Sequence, residues 1–180
     1  MAAGAGVGHT SISTDSASSP NFGLGGPGLA LNLWLGGTPW RGVALGGLLS
    51  YQGLNEGSTV VEGQKTGAGS NGRSLLLAPF IDAFPDPLRG LHFGGALGLA
   101  FVGTTADSHL LERDFNAKDY SGGGLGASAW LGYMGFVGPE YSMGGLLQLS
   151  GYASRKTESD DLERKASGYA VSLSFSALYH

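Results

Sequence analysis

A repeat of period two runs through most of this sequence, with large apolar residues at every second position and small residues between them. In the segment 90–103, Leu91, Phe93, Leu97, Leu99 and Phe101 alternate with glycine, alanine and one histidine. The same alternation occurs at 28–35, 42–51 and 168–179. Because successive side chains of a strand point to opposite faces, the pattern predicts β-strands with one large apolar face and one small face.

The alternating segments and the breaks between them predict an all-β fold. We place eight strands at about 3–13, 23–36, 40–53, 73–84, 89–104, 121–136, 141–154 and 167–180. Short turns then fall at 37–39, 85–88 and 137–140, and longer loops at 14–22, 54–72, 105–120 and 155–166. This regular alternation predicts one domain, 1–180, that is an eight-stranded antiparallel up-and-down transmembrane β-barrel. Both chain ends should lie at the end with the three short turns, opposite the four longer loops.

Charge is nearly absent from the predicted strands, which contain only Arg41, Arg73, Asp82 and Arg89. A soluble barrel needs a polar outer face, whereas a membrane barrel presents its large apolar face to lipid. The pattern therefore predicts a lipid bilayer as partner, and a soluble lipocalin-like carrier is the alternative. Nucleic acid is not expected as a partner, because the net charge is −4 and no basic run is present.

The aromatic residues of the large face form two groups, as expected for girdles at the two membrane interfaces. Near the short turns lie Tyr133, Tyr141 and Tyr179, and toward the longer loops lie Tyr51, Phe101 and Tyr169. No signal peptide is visible at the first residues. We interpret the chain as the mature form of a bacterial outer-membrane protein with a start methionine added.

These features resemble the eight-stranded outer-membrane barrel families, such as the transmembrane domain of OmpA, OmpX and OmpW. More narrowly, the segments 28–39, 94–100 and 174–180 resemble small glycine-rich outer-membrane proteins of myxobacteria. The resemblance implies an outer-membrane location and carries no assigned activity. It also implies an aromatic residue at the end of the last strand; here Tyr179 is penultimate and His180 is last.

The small-residue face holds the candidate lumen groups, which are Asn32, Trp34, Asp82, His92, Trp130 and Gln148. A carboxylate in the lumen needs water or a partner, and the sequence names no partner for Asp82. Glycines on the same face leave space, which Trp34 and Trp130 should block. We therefore expect a narrow, mostly occluded interior, in which a packed polar network is favoured over a binding site.

Motifs that would indicate enzymatic chemistry are weak. His9-Thr10-Ser11 resembles the His-x-Ser element of outer-membrane lipid A deacylases, but no third group that would orient His9 can be named. The glycine patterns at 23–28 and 122–127 lack the following helix that a dinucleotide site requires. Without cysteines, and with four scattered histidines, no metal site and no cofactor are expected.

The run 155–165 contains eight charged residues of mixed sign, which indicates a solvated loop more than a surface site for a partner. The sequence thus predicts a small non-enzymatic outer-membrane barrel with a structural or surface-contact role. The alternatives are a narrow transport or ligand-binding barrel, a lipid-modifying enzyme that uses His9, and the soluble carrier.

Overall fold

The computed structural model describes residues 1–16, 19–61, 64–86, 89–106, 120–157 and 163–179. They form eight strands, each antiparallel to the next, and the last strand pairs with the first to close a barrel. The strands are β1 (Ala2–Ser16), β2 (Ser19–Trp40), β3 (Val43–Val61), β4 (Gln64–Ala83), β5 (Leu91–Ala106), β6 (Tyr120–Phe136), β7 (Tyr141–Thr157) and β8 (Glu163–Tyr179). The predicted fold is confirmed. Among the described residues, no helix is long and apolar enough to cross a membrane.

The strands extend further into the predicted longer loops than the sequence indicated. Ladder pairs continue along β3 and β4 to Val61 and Gln64, inside the segment predicted as the loop 54–72. Once two strands are in register, each further pair adds backbone hydrogen bonds, so polar and glycine-rich residues continue the ladder. The centres of the four longer connections, at 17–18, 62–63, 107–119 and 158–162, lie outside the described residues, as does His180.

The first short turn lies elsewhere than predicted. Strand β2 runs through 37–39 to Trp40, which pairs with Val43, so the turn consists of Arg41 and Gly42. Gly42 has a φ of 77°, a left-handed conformation that glycine adopts without steric cost. The register shifts between Gly37 and Trp40, and such a bulge accommodates Pro39, which has no N–H for the ladder.

The register of the closed sheet fixes the width of the barrel. Following the ladder from Gly4 through Asn32 and the other strands leads back to Thr14, which is 14 − 4 = 10 residues further along β1. For eight strands, this shear gives a strand tilt of about 40°. The interior of such a barrel is just wide enough to be filled by side chains.

The outer surface is a continuous apolar belt. Val7, Leu97 and Leu173 are 70%, 66% and 63% exposed, and the aromatic residues predicted for the two girdles all lie on this face. At the short-turn end, the rings of Tyr141 and Tyr179 lie 5.2 Å apart between centroids. An apolar surface of this extent requires lipid around it, and two aromatic girdles are typical of barrels that span the outer membrane.

The interior is packed, and its glycines receive bulky side chains from neighbouring strands. A Cβ on Gly94 would lie 2.6 Å from the ring of Trp130, which faces it on β6. A Cβ on Gly168 would lie 3.0 Å from the ring of Tyr152 on β7. The sequence analysis expected the glycines to leave space. Gly94 and Gly168 instead make room for these rings, and large side chains such as Leu48 also point inward, whereas Gly42 lines an open cavity at the short-turn end.

Candidate functional site

A hydrogen-bonded network crosses the middle of the lumen. The fully buried side chain of Gln148 donates from Nε2 to Ser128 Oγ at 2.8 Å. From the β3 side, Gln52 Nε2 donates to Ser150 Oγ at 3.1 Å, and Tyr152 OH donates to Gln52 Oε1 at 3.3 Å. The network thus ties β3 to β6 and β7 across the barrel, and it fills the cross-section with polar groups that are largely paired with one another.

Asp82, near the short-turn end of β4, is held by two ring nitrogens. His92 Nδ1 lies 2.8 Å from Asp82 Oδ2, and Trp130 Nε1 donates to Asp82 Oδ1 at 3.1 Å. The inward side chains of β4, β5 and β6 therefore meet at one carboxylate. His92 is the basic group that the sequence analysis could not name as the partner of Asp82.

The imidazole ring of His92 is held at one face and at one edge. The ring of Phe84 stacks on it, with 4.9 Å between centroids and 10° between planes. Its Nε2 lies where a Cβ on Gly132 would be, so only glycine fits at that position of β6. The His92 side chain is 5% exposed, and Nε2 has no hydrogen-bond partner among the described residues.

A cavity of about 360 Å³ opens beside this cluster at the short-turn end of the lumen. We call it the basal cavity. Its wall includes Asp82, His92 and Trp130, together with Thr38 near the end of β2 and Gly42 of the turn that follows. Most of the remaining wall is apolar, with the inner residues Trp34, Phe80, Met134 and Leu146.

Of the six candidate lumen residues, four line the basal cavity, one belongs to the central network and one belongs to neither. Trp34, Asp82, His92 and Trp130 line the basal cavity, where Trp34 and Trp130 meet edge to face with 6.1 Å between ring centroids. Gln148 belongs to the central network. Asn32 is buried and faces Ser50 across the ladder, but its amide atoms have no hydrogen-bond partner among the described residues.

The sequence analysis did not predict two residues of the site, Phe80 and Phe84. Phe80 packs against Trp130, with 6.2 Å between ring centroids. The sequence does contain a signal for these residues. Phe80, Asp82, Phe84 and His92 all have even numbers, so they are predicted to face the lumen on either side of one short connection. Inward positions on the two arms of a hairpin are neighbours in space, so Asp82 and His92 could have been paired.

The weaker motifs lie away from this cluster. His9 is exposed on the outer surface, on the same face as Val7, and Ser11 is half-buried beside it. The glycine patterns at 23–28 and 122–127 lie within β2 and β6. In the part of the chain that the structure describes, no three histidine, aspartate or glutamate side chains are grouped to hold a metal ion.

Comparison with solved structures agrees with the fold. The outer-membrane protein OprG from Pseudomonas aeruginosa aligns with a TM-score of 0.54 at 12% identity, covering 99% of this chain and 96% of OprG. The fold is that of an outer-membrane barrel. Ail of Yersinia pestis also aligns, with a TM-score of 0.48 at 10% identity and coverage of 97% of each chain. No family model and no curated protein match the sequence.

The apolar belt, the aromatic girdles and the closed eight-stranded sheet make this chain an integral outer-membrane β-barrel, with the lipid bilayer as its partner. The likeness to eight-stranded outer-membrane barrels, implied by the sequence, is confirmed at the level of the fold. The narrower resemblance to myxobacterial proteins stays a prediction.

Proposed function

We propose that this protein is a non-enzymatic, non-conducting outer-membrane barrel, with a structural or surface-contact role. The observation that carries the proposal is the packed middle of the lumen. Leu48 and Gln148 are 0% exposed there, and Tyr152 is 6% exposed. A pore needs a continuous water path along the lumen, and the burial of these side chains supports a lumen that is closed at this level.

The central network also resists opening. To admit solutes, Gln148 and Gln52 would have to give up hydrogen bonds to Ser128 and Ser150. Each buried polar group that loses its partner costs about 1–3 kcal/mol unless water replaces it. The network therefore supports a lumen that stays closed, rather than one that opens with small thermal fluctuations.

The non-enzymatic part of the proposal rests on the geometry of His9 and His92, the two of the four histidines that lie within the described residues. A histidine base activates a nucleophile only within hydrogen-bond reach of its hydroxyl or thiol. His92 Nε2 has no such neighbour among the described residues. His9 lies on the lipid-facing surface, where the sequence names no carboxylate to orient it.

Planar-bilayer recording on the refolded protein tests the closed lumen. We expect no steady single-channel steps from the wild type. The triple variant Gln52→Ala, Gln148→Ala, Tyr152→Ala should produce steps, because it removes the side chains that cross the lumen. The matched control Leu97→Ala, Leu125→Ala, Leu173→Ala truncates three outward side chains and should stay silent. Large, reproducible steps from the wild type would replace the proposal with a transport function.

Hydrolysis assays test the proposal that the protein is not an enzyme. Wild type and the variants His9→Ala and His92→Ala are incubated with phospholipid and lipid A in mixed micelles. We expect no release of fatty acid above the protein-free blank from any of them. Release by the wild type that disappears in His9→Ala would establish the lipid-modifying alternative.

A further inference from the structure

We propose that the outer surface around Arg73, next to the aromatic girdle on the side of the longer hairpins, binds the phosphate group of an anionic membrane lipid. This inference goes beyond the proposed function, which needs no particular lipid. It rests on the level of Arg73 relative to the girdle, on two glycines that lie beneath polar side chains, and on the residues that surround them.

Arg73 lies one outward position beyond the apolar belt. Two girdle residues, Tyr51 and Phe101, face Leu75 of β4 from its two sides in the ladder. Arg73 is two residues closer to the longer hairpins than Leu75, which is about 6.6 Å along a strand. Aromatic girdles mark the level at which hydrocarbon meets lipid headgroups. The exposed residue Arg73 therefore lies at the level of the headgroups.

Two glycines in the ladder row of Arg73 each lie beneath a polar side chain. Gly103 of β5 faces Arg73, and a Cβ on it would lie 3.2 Å from Arg73 Nε. Gly53 of β3 faces Arg73 from the other side, and a Cβ on it would lie 2.9 Å from the hydroxyl oxygen of Tyr51. Both glycines are buried, although their positions face outward. The side chain of Arg73 thus lies across β5, and the hydroxyl group of Tyr51 reaches the row of Arg73.

The strand segments around Arg73 supply hydroxyl groups and no carboxylate. Ser121 of β6 continues the row beside Gly103, and Thr105 lies one outward position further along β5. Both are exposed. No aspartate or glutamate occurs in the four segments that form this surface, 51–54, 71–75, 101–105 and 121–125. Among the described residues, none forms an ion pair with Arg73. An anion therefore meets a cation that no carboxylate of these segments neutralises.

A phosphate group matches this surface. The planar guanidinium presents N–H donors in a fork that fits two oxygens of one phosphate. The hydroxyl groups of Tyr51, Thr105 and Ser121 are donors for the remaining oxygens. A choline group on the phosphate would bring a second cation close to Arg73, so a lipid with an uncapped phosphate is favoured. The anion comes from a lipid and not from solution, because headgroups are held at this level of the barrel.

Snorkelling alone does not account for the arrangement. A long basic side chain at the edge of the belt extends toward water and selects no particular lipid. Arg73 instead lies sideways over Gly103, where its stem covers the neighbouring strand. The glycine therefore holds the guanidinium close to the sheet, at the level where Tyr51 places its hydroxyl group.

Two-dimensional NMR of the refolded protein tests the site in octyl glucoside micelles, which contain no phosphate. The arginine Nε–H signal of Arg73 is the one that disappears in Arg73→Gln, and the backbone amide of Ser121 reports on binding in every variant. We expect dihexanoyl phosphatidic acid to shift both signals saturably. Dihexanoyl phosphatidylcholine should bind about tenfold more weakly, the effect of roughly one hydrogen bond to a charged group. Inorganic phosphate should cause no saturable shift at the same concentrations.

Variants separate the site from the net charge. Arg73→Gln should weaken binding of phosphatidic acid about tenfold, and Tyr51→Phe about fivefold. Gly103→Leu retains the charge but displaces the side chain of Arg73, so it should also weaken binding. The outward control Gly145→Leu should not, because a Cβ there meets nothing within 4 Å. Arg155→Gln removes an exposed cation three strands away, which is about 14 Å by strand spacing, and should have no effect in about 0.1 M salt.

Three results would overturn the proposal. Equal affinity for the two lipids would show that the site does not recognise an uncapped phosphate. Unchanged affinity in Arg73→Gln, or an equal loss in Arg155→Gln, would show that binding does not occur at this site. Saturable binding of inorganic phosphate with the affinity of the lipid would replace the lipid by a soluble anion. None of these results depends on conductance, which tests the proposed function independently.

Discussion

Trp130 occupies the space that Gly94 leaves on the neighbouring strand, so that the indole ring packs against Gly94 of β5. The two residues are ladder partners, and a Cβ on Gly94 would stand 2.6 Å from Cε2 and Cζ2 of the ring. The indole nitrogen of Trp130 in turn donates to Asp82. Because Gly94 has no side chain, Trp130 can take the position from which its indole N–H donates to the carboxylate of Asp82.

Gly94→Ala should destabilise the barrel by about 1–3 kcal/mol, because the added Cβ would lie 2.5 Å from Ile81 O and 2.6 Å from the Trp130 ring and would overpack this site. The measurement is equilibrium unfolding in lipid vesicles by urea, followed by tryptophan fluorescence. Gly145→Ala is the matched control, since a Cβ there meets nothing within 4 Å. Equal stability of the two variants would contradict the tight packing of Ile81 and Trp130 around Gly94.

Leu97→Arg should cost about 2–4 kcal/mol, because this 66% exposed residue lies in the middle of the apolar belt. On the same strand, Leu91 lies at the short-turn end, and Leu91→Arg should cost about 0–1 kcal/mol, as expected near an interface. The same unfolding assay compares the two variants. A larger cost at Leu91 than at Leu97 would mean that the belt is centred elsewhere along β5.

Asp82→Leu should destabilise the barrel by about 1–3 kcal/mol, because it leaves Nδ1 of His92 and Nε1 of Trp130 buried without their acceptor. Trp130→Phe keeps an aromatic ring and removes the N–H. Combined with Asp82→Leu, it should cost less than the sum of the two single changes, with a coupling of at least about 0.5 kcal/mol. Strict additivity would show that the hydrogen bond to Trp130 contributes nothing measurable.

Both chain ends and the short turns should face the periplasm, and the longer hairpins the medium. Met1 N donates to Tyr179 O at 2.9 Å, which places the two ends beside the short turns. The chain has no native cysteine, so a single introduced cysteine is the only thiol of the protein that a maleimide can label. In intact cells, a membrane-impermeant maleimide should label Val60→Cys in the β3–β4 hairpin. Val137→Cys, in the short turn after β6, should react only after the cells are broken. The reverse result would invert the orientation.

Much of the fold could be predicted from the sequence, because the alternation of large and small residues indicates directly which side chains face the lipid. The alternation alone places Leu97, and the large residues of the segment 168–179, on the outer face, and the structure exposes both Leu97 and Leu173. The boundaries were predicted less well. The glycine- and serine-rich segment that contains Gly69 and Ser70 still pairs with β3, although nothing in its composition indicates a strand.

The candidate site could be predicted only in part. The even numbers of Asp82, His92 and Trp130 placed these residues on one face. They gave no information about how close the three side chains, which lie on different strands, come to one another. That distance depends on register, and the register depends on where each turn begins, as the bulge before Trp40 illustrates. The tight packing of Trp130 against Gly94 and of His92 over Gly132 depends on single ladder pairs, which one residue of slippage would change.

The pairing of β1 with β8 means that this sheet has no end. An open sheet has outer strands that can be trimmed with little harm, because their far edges were already unpaired. Here each strand is bonded on both sides, so deleting any one leaves two unpaired edges in hydrocarbon, where backbone groups find no water. The first strand is therefore as indispensable as the fourth, and it stays half-bonded until the last segment of the chain has been made.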